Sequence, residues 1–392
     1  MEHTEQISQI KTLLARLDSD TNVDAGGLRR NPTEVYVDPD LADREWTSFF
    51  QGHPQLIGLS GDLPGPGSFM TMDDLGLPVL ATRDQDGRFR AFVNACRHRG
   101  VILEQRRRGT ARRFTCSFHN WTYDPAGTLV GLPKKDHFGD LDLDVHGLIE
   151  LPAAERHGLL MVHPDPDGSV DVDEVLGAEL AAELSSWAFD DFVHLGTDRY
   201  DVACNWKLAM DTFGETYHFE ALHADTLAAE FHGNVQCYDT YGRHHRMLLC
   251  RRAIDMLRHQ PEDTWDITIA TLPVYWLFPN VQLMPNANGC YLVRAYPDPN
   301  DPGRHTSHIT FYLRSERAKE VGVVEAAEQV ARGFGSIIRD EDYVASASQQ
   351  ASARSGRMSH VVFGRNEPAL HHYHSTYRDV LGMEPLPLLD RV

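Results

Sequence analysis

The sequence predicts an α+β protein in which a small all-β domain precedes a larger α+β domain, an antiparallel sheet with helices. Three observations carry this reading. At 392 residues the chain exceeds one ordinary core and points to two domains. Between Val35 and Leu151, short strand-like runs are punctuated by turn signals, among them Asp86-Gly87 and Asp124-Pro125-Ala126-Gly127. After Pro164-Asp165-Pro166-Asp167-Gly168 the pattern changes to helices and strands in separate runs. The expected organisation is an N-terminal helix over 1–34 packing on the body, a small domain over 35–160, and a larger one over 161–392.

The first element is an amphipathic helix. Ile7, Ile10, Leu13, Leu14 and Leu17 fall on one stripe, and the glycines between Asn22 and Arg30 end it. In the small domain, Val79–Thr82 and the alternating Phe89, Ala91 and Val93 flank Asp86-Gly87 as a hairpin. Cys96-Arg97-His98 follows this hairpin, and Cys116-Ser117-Phe118-His119 comes seventeen residues later. Each pair offers one thiolate and one imidazole on a loop at a strand end. Two cysteines for one iron and two histidines for the other make the ligand set of a Rieske-type [2Fe–2S] centre, an electron relay. A tetrahedral zinc is the competing reading, but the ligands alternate Cys, His, Cys, His, and only one residue separates the first pair. Between the pairs lie Arg106, Arg107, Arg108, Arg112 and Arg113, which read equally as a solvated loop or as a docking patch for an acidic electron donor.

In the larger domain, Glu174–Trp187 and Asn205–Leu227 have helical patterns, and strand-like runs follow at 274–278, 290–296 and 309–313. A helical segment covers Val323–Arg354, with an interruption expected near Gly333 and Gly335. Asp211, Glu215 and His218 are spaced i, i+4, i+7 and would share a helix face. His218 and His223 are five residues apart, roughly 140° around a regular helix, so both face one point only if the helix bends or carries a π-bulge. Two histidines and one carboxylate form the facial triad of non-haem Fe(II) enzymes. Tyr217, Phe219, Leu222, Trp276 and Phe278 are candidates to lie near such an iron.

Taken together, these segments resemble the α subunit of the Rieske non-haem iron oxygenases, which hydroxylate aromatic rings or oxidatively demethylate substrates. The resemblance runs through Cys96-Arg97-His98-Arg99-Gly100, Cys116-Ser117-Phe118-His119-Asn120-Trp121, Asn205-Trp206-Lys207-Leu208, Glu215-Thr216-Tyr217-His218 with His223, and Glu341-Asp342 to Gln350. It implies a [2Fe–2S] cluster on Cys96, His98, Cys116 and His119, and Fe(II) on His218, His223 and a late carboxylate. Asp342 is the expected third ligand, with Asp340 and Glu341 as adjacent rivals. Glu215 is implied to bridge His218 to the cluster ligand His119 across a subunit boundary. Three departures from the family pattern stand out: Glu215 where Asp is commoner, and Ser117 and Asn120 in place of Pro and Gly.

The resemblance also implies partners: a reductase and, in some systems, a ferredoxin on separate chains, O₂, a small organic and aromatic substrate, and a head-to-tail homotrimer. No glycine fingerprint for a nucleotide follows a strand, so the reductase is expected elsewhere. The formal charge of −20 disfavours nucleic acid as a partner. No apolar run reaches membrane-span length, and Met1-Glu2-His3-Thr4-Glu5 lacks a signal-peptide profile. The expected location is the cytoplasm. Cys204, Cys237, Cys250 and Cys290 are expected as buried reduced thiols. Two other classes remain open: an electron-transfer protein without oxygen chemistry, and a zinc-stabilised binding module.

Overall fold

The computed structural model describes residues 1–389. The chain separates into two compact units, one of residues 46–175 with 188–194, the other of residues 1–45 with 176–187 and the described residues from 195 onward. Compactness thus places 35–45 with the larger unit and 161–175 with the smaller.

The smaller unit is antiparallel β. A five-stranded sheet runs in the order Glu150–Leu151, Phe89–Val93, Val79–Arg83, Ser68–Met72, Arg108–Thr110. The predicted hairpin forms because Asp84 accepts the N–H groups of Asp86 and Arg88, both at 2.9 Å, while Gly87 takes φ +79°. A second sheet joins Ala153–Arg156, Leu159–Val162 and Gln55–Leu59, and a third joins Phe114–Thr115, Thr122–Tyr123 and Leu129–Gly131. Phe69, Leu80, Phe92, Phe114 and Tyr123 fill the core beneath the loops that carry the cysteines.

The turn between Arg156 and Leu159 has positive φ at both central residues, His157 and Gly158, as a two-residue hairpin of primed type requires. A Cβ on Gly158 would lie 2.3 Å from the Asp190 nitrogen and 2.4 Å from the Phe189 carbonyl carbon. Gly158→Ala is therefore expected to cost about 2 kcal/mol or more. A thermal melt followed by circular dichroism would report it.

The larger unit is organised on a seven-stranded sheet: β1 (Phe192–Val202), β2 (Phe231–Tyr241), β3 (His244–Arg251), β4 (Thr271–Leu277), β5 (Val281–Pro285), β6 (Gly289–Asp298) and β7 (Asp301–Arg314). The order is β1-β7-β6-β5-β4-β3-β2, an antiparallel meander with β1 returned to the β7 edge. Strands β4 and β5 are buried at every position, which explains why the run 274–278 is apolar throughout rather than alternating. Helix α1 (His3–Ser19) lays Ile10, Leu13 and Leu14 against Cys237, Leu248 and Cys250 on β2 and β3.

Two helix expectations need correction. The pattern over Asn205–Leu227 is not one helix: α2 (Trp206–Asp211) stops after six residues, and a four-residue helix α3 (Phe219–Leu222) follows. The Glu215 carboxylate accepts the N–H groups of Tyr217 and His218, offering the backbone a local alternative to helical bonds. Gly214 passes so close to Leu370 that a Cβ there would lie 2.3 Å from Leu370 Cδ2. The late helical segment breaks in a different place from the one expected. Helix α4 (Val323–Ile337) runs through Gly333 and Gly335; residues 338–342 then make a π turn before α5 (Tyr343–Arg354). Gly335 is needed for close approach to β1, since a Cβ there would meet Asp198 Oδ2 at 2.7 Å. The last helix, α6 (Pro368–Val380), starts with proline in its first turn. Among the described residues, no helix is long and apolar enough to cross a membrane.

Candidate metal centres

Two loops of the smaller unit share one construction. In each, the N–H four residues after the cysteine donates back to the cysteine carbonyl, Gly100 to Cys96 at 2.9 Å and Asn120 to Cys116 at 3.0 Å. Both closing residues sit at positive φ, +72° for Gly100 and +58° for Asn120. Asn120 thus serves where glycine is the usual choice because asparagine tolerates the left-handed region. The two loop tips bring Cys96, Cys116, His98 and His119 together. The cysteines are buried, at 3% and 2% exposure, and their thiols lie within hydrogen-bonding reach of each other. The imidazoles lie outward with Nδ1 atoms 3.1 Å apart. Thiols on one side and imidazoles on the other fit a [2Fe–2S] cluster with its His-ligated iron toward solvent.

Surrounding groups fix these donors. Arg97 N donates to the Tyr123 hydroxyl at 3.0 Å, which leaves the hydroxyl proton free for Cys96 Sγ at 3.6 Å. Burial pushes the Cys96 thiol pKa up, as it does for a protonated thiol away from a cation. Trp121 stacks on the His98 ring at 5.0 Å and 9°. Three arginines of the basic island are already neutralised nearby: Arg106 by Glu104 at 2.6 Å, Arg107 by Asp73 at 2.9 Å and Arg108 by Asp62 at 2.8 Å.

In the larger unit, His218, His223 and Asp342 each present one donor atom, all within 4.8 Å of one another. The short helix α3 does this in place of the expected bulge: His218 precedes its first residue and His223 follows its last. Asp342 Oδ1 lies 3.6 Å from His218 Nε2 and 3.4 Å from His223 Nε2. Ligands held about 2.0–2.2 Å from one divalent ion lie about 3–4 Å from each other, so the three donors fit one ion. The π turn at 338–342 aims Asp342 inward at 5% exposure; such turns recur at functional sites.

The neighbouring acids are sorted by the same turn. Glu341 Oε2 lies 2.7 Å from His223 Nδ1 and accepts from Thr226 Oγ1 at 3.0 Å. Asp340 is exposed and pairs with Arg339 at 2.6 Å. Glu215 Oε1 bonds His218 Nδ1. Each histidine therefore gives Nδ1 to a glutamate, which leaves Nε2 free of its proton to coordinate. The electrostatics agree. Burial disfavours charge on His218, yet Asp342 and Glu215 outweigh it and lift its pKa to about 9. For Asp342, burial raises the pKa, but His218 and His223 bring it below the ordinary value. Carboxylates that favour positive charge at His218 also favour a cation there, which takes the Nε2 position in place of a proton. The donor set fits Fe(II).

An apolar pocket opens from these donors, lined by Phe213, Phe219, Phe231, Leu249, Met284 and Phe334 among others. Of the aromatic and aliphatic candidates read from sequence, Phe219 lines it. Tyr217 and Leu222 are exposed, and Trp276 and Phe278 pack on Tyr373 instead, at ring separations of 5.1 Å and 6.1 Å. Asp211, expected on the face of Glu215 and His218, turns away to His374 at 2.8 Å and to the Tyr36 hydroxyl at 2.8 Å. Gln350 accepts the Asn205 N–H at 2.8 Å, which locks α5 to the start of α2.

Comparison with known proteins decides the family. The Rieske [2Fe-2S] domain model matches residues 53–149, and the ring hydroxylating alpha subunit catalytic domain model matches residues 189–383. The chain belongs to the Rieske ring-hydroxylating oxygenase α-subunit family. Within it, the chain is 31% identical over 202 residues to the anthranilate 1,2-dioxygenase large subunit of Burkholderia cepacia, covering 50% of this chain and 48% of that one. It is 29% identical over 196 residues to the glycine betaine monooxygenase oxygenase subunit of Chromohalobacter salexigens, covering 50% and 43%. The matched stretches span about half the length of these curated relatives. Among solved structures, the quaternary ammonium Rieske monooxygenase CntA with L-carnitine superposes with a TM-score of 0.74 at 18% identity, covering 89% of this chain and 95% of that one. Naphthalene 1,2-dioxygenase from Rhodococcus sp. gives 0.64 at 20% identity, covering 96% and 98%. Members of this Rieske family carry a [2Fe–2S] cluster and a mononuclear Fe(II).

Proposed function

We propose that this protein is the terminal oxygenase of a multicomponent system, using O₂ and reductase-supplied electrons to hydroxylate or oxidatively demethylate a small organic, aromatic substrate. The observation that carries this is the convergence of His218 Nε2, His223 Nε2 and Asp342 Oδ1 at one end of an apolar pocket, in a chain that also brings two cysteines and two histidines together. When bound, the cluster supplies single electrons and the mononuclear iron supplies the site where O₂ is reduced. The protein's own groups do the rest. Glu215 and Glu341 orient the two imidazoles, Asp342 completes the face, and the apolar walls hold substrate and exclude water. The ligand roles of Cys96, His98, Cys116, His119, His218, His223 and Asp342 belong to this proposal, as do cytoplasmic location, the separate reductase and a homotrimer.

Purified protein should be red-brown, contain acid-labile sulfide, and oxidise a substrate when given a reductase and tested against arenes, aromatic acids and quaternary amines. A colourless, zinc-containing protein would end this reading.

Within a trimer, Glu215 would join His218 to His119 of the partner subunit and so carry electronic coupling. Glu215→Gln keeps an oxygen for the backbone N–H groups of Tyr217 and His218 but removes the charge. Turnover should fall about 10–100-fold, with re-oxidation of the pre-reduced cluster slowed in parallel in stopped flow. A normal re-oxidation rate would remove Glu215 from the electron path.

A further inference from the structure

Beside the pocket at the metal centre lies a second, roomier cavity. It is a groove of about 380 Å³ between α4 and strands β6 and β7, whereas the inner pocket has only about 50 Å³ free. The larger volume is in the range of small-molecule sites. One helix face lines both. Val323, Ala327 and Val330 line the groove, and Phe334, Ile337 and Ile338, continuing the same i, i+3/i+4 stripe, line the inner pocket.

The sheet repeats this continuity. Met284, in the inner pocket, pairs across strands with Tyr291, and Tyr291 pairs with Phe311, both of which line the groove. Tyr291 of the groove and Phe334 of the inner pocket touch, their rings 4.4 Å apart and 30° from parallel. They are the partition.

The charges nearby are answered. Arg317, at the rim of the groove, pairs with Glu320 at 2.6 Å. Arg251 lies over the Phe231 ring at 5.1 Å and donates to the Thr271 carbonyl at 3.1 Å. In the inner pocket the charged lining groups are Glu215, His218, His223 and Asp342, all at the metal end. Between the paired Arg317 at the rim and the charged groups at the metal end the walls carry no charge, so a carboxylate or an ammonium group on the substrate would cross this stretch with its desolvation uncompensated.

We propose that the groove is the antechamber through which an uncharged, apolar molecule of arene size reaches the metal centre, and that Tyr291 and Phe334 must swing aside to admit it. This rests on the oxygenase reading and adds the substrate class and route.

All six native cysteines are buried; Cys290, which lines the groove, is replaced by alanine in every protein tested, so that the introduced thiol is the one modified there. Ala327→Cys, with Val330→Cys as an independent position, would be treated with benzyl methanethiosulfonate in the assembled, iron-loaded protein. Naphthalene binding would then be followed by fluorescence in stopped flow. Modification should slow association and dissociation at least about ten-fold while Kd stays within about two-fold, and dithiothreitol should restore both rates. Unchanged rates would place the route elsewhere and overturn the proposal. So would a thiol that does not react, since another copy would then cover the groove, or a failure of naphthalene to bind. The binding readout needs no turnover. Slowed exchange in a protein that oxidises nothing therefore refutes the oxygenase reading alone, whereas unchanged exchange rates in an active enzyme refute the antechamber alone.

Discussion

Asp342→Ala protein is expected to purify with its visible cluster spectrum intact and its mononuclear iron gone, with turnover at or below about a thousandth of wild type. The reason is the unequal treatment of three adjacent acids. Asp342 is the carboxylate within reach of both Nε2 atoms, at 3.6 Å and 3.4 Å. Glu341 reaches the opposite nitrogen of His223, at 2.7 Å. Asp340 is exposed and paired with Arg339. The three positions should therefore give three different results. Glu341→Gln should weaken iron binding about 10–100-fold, the usual size of an orienting partner's effect, and saturating Fe(II) should restore much of the activity. Asp340→Ala should leave both metals and turnover unchanged. Iron per protomer by atomic absorption, beside acid-labile sulfide for the cluster, separates these outcomes. Full mononuclear iron in the Asp342→Ala protein would remove it from the ligand set.

The cluster loops were legible in the sequence because their information is local. A cysteine and a histidine two or three residues apart, followed by a residue able to take positive φ, define a loop tip with few neighbours. The candidate metal triad was half legible. His218 and His223 could be singled out, but α2 ends at Asp211 because Glu215 captures backbone N–H groups and Gly214 must fit against Leu370. The second cause lies more than 150 residues away along the chain. Residue chemistry alone did not separate Asp340, Glu341 and Asp342; the family resemblance pointed to Asp342, and the π turn at 338–342 is what sets the three apart in space. The pocket was the least legible. Its walls come from β2, β3, β4, β5 and α4, so no local pattern marks them. Strand alternation shows why Trp276 misled. It shares a face with Leu272 and Val274, which do line the pocket, but it lies past the end and packs on His245 at 4.7 Å and Tyr373 at 5.1 Å.

Glu45→Ala should produce the largest loss of stability of any single substitution considered, although Glu45 touches neither centre. Its carboxylate, 2% exposed, accepts from Lys207 Nζ at 2.6 Å, the Trp206 indole N–H at 2.8 Å and the Tyr377 hydroxyl at 2.6 Å. Lys207 is fully buried. Burial drives its pKa down, and Glu45 is the main force opposing that shift. Removing the carboxylate strands a buried cation and takes away the acceptor for the Trp206 and Tyr377 donors, which together should cost about 3–5 kcal/mol. The pair itself need not be stabilising, because taking both charges out of water offsets most of their attraction. Glu45→Leu combined with Lys207→Met should therefore recover most of the loss, and urea unfolding of the single and double variants would measure it. The location gives the loss a functional consequence. Lys207 and Trp206 open α2, which runs directly into the segment carrying Glu215 and His218. The Glu45→Ala protein should accordingly retain less mononuclear iron while its cluster content is unchanged. An unfolding midpoint equal to wild type would mean that the Glu45 network does not hold α2 in place.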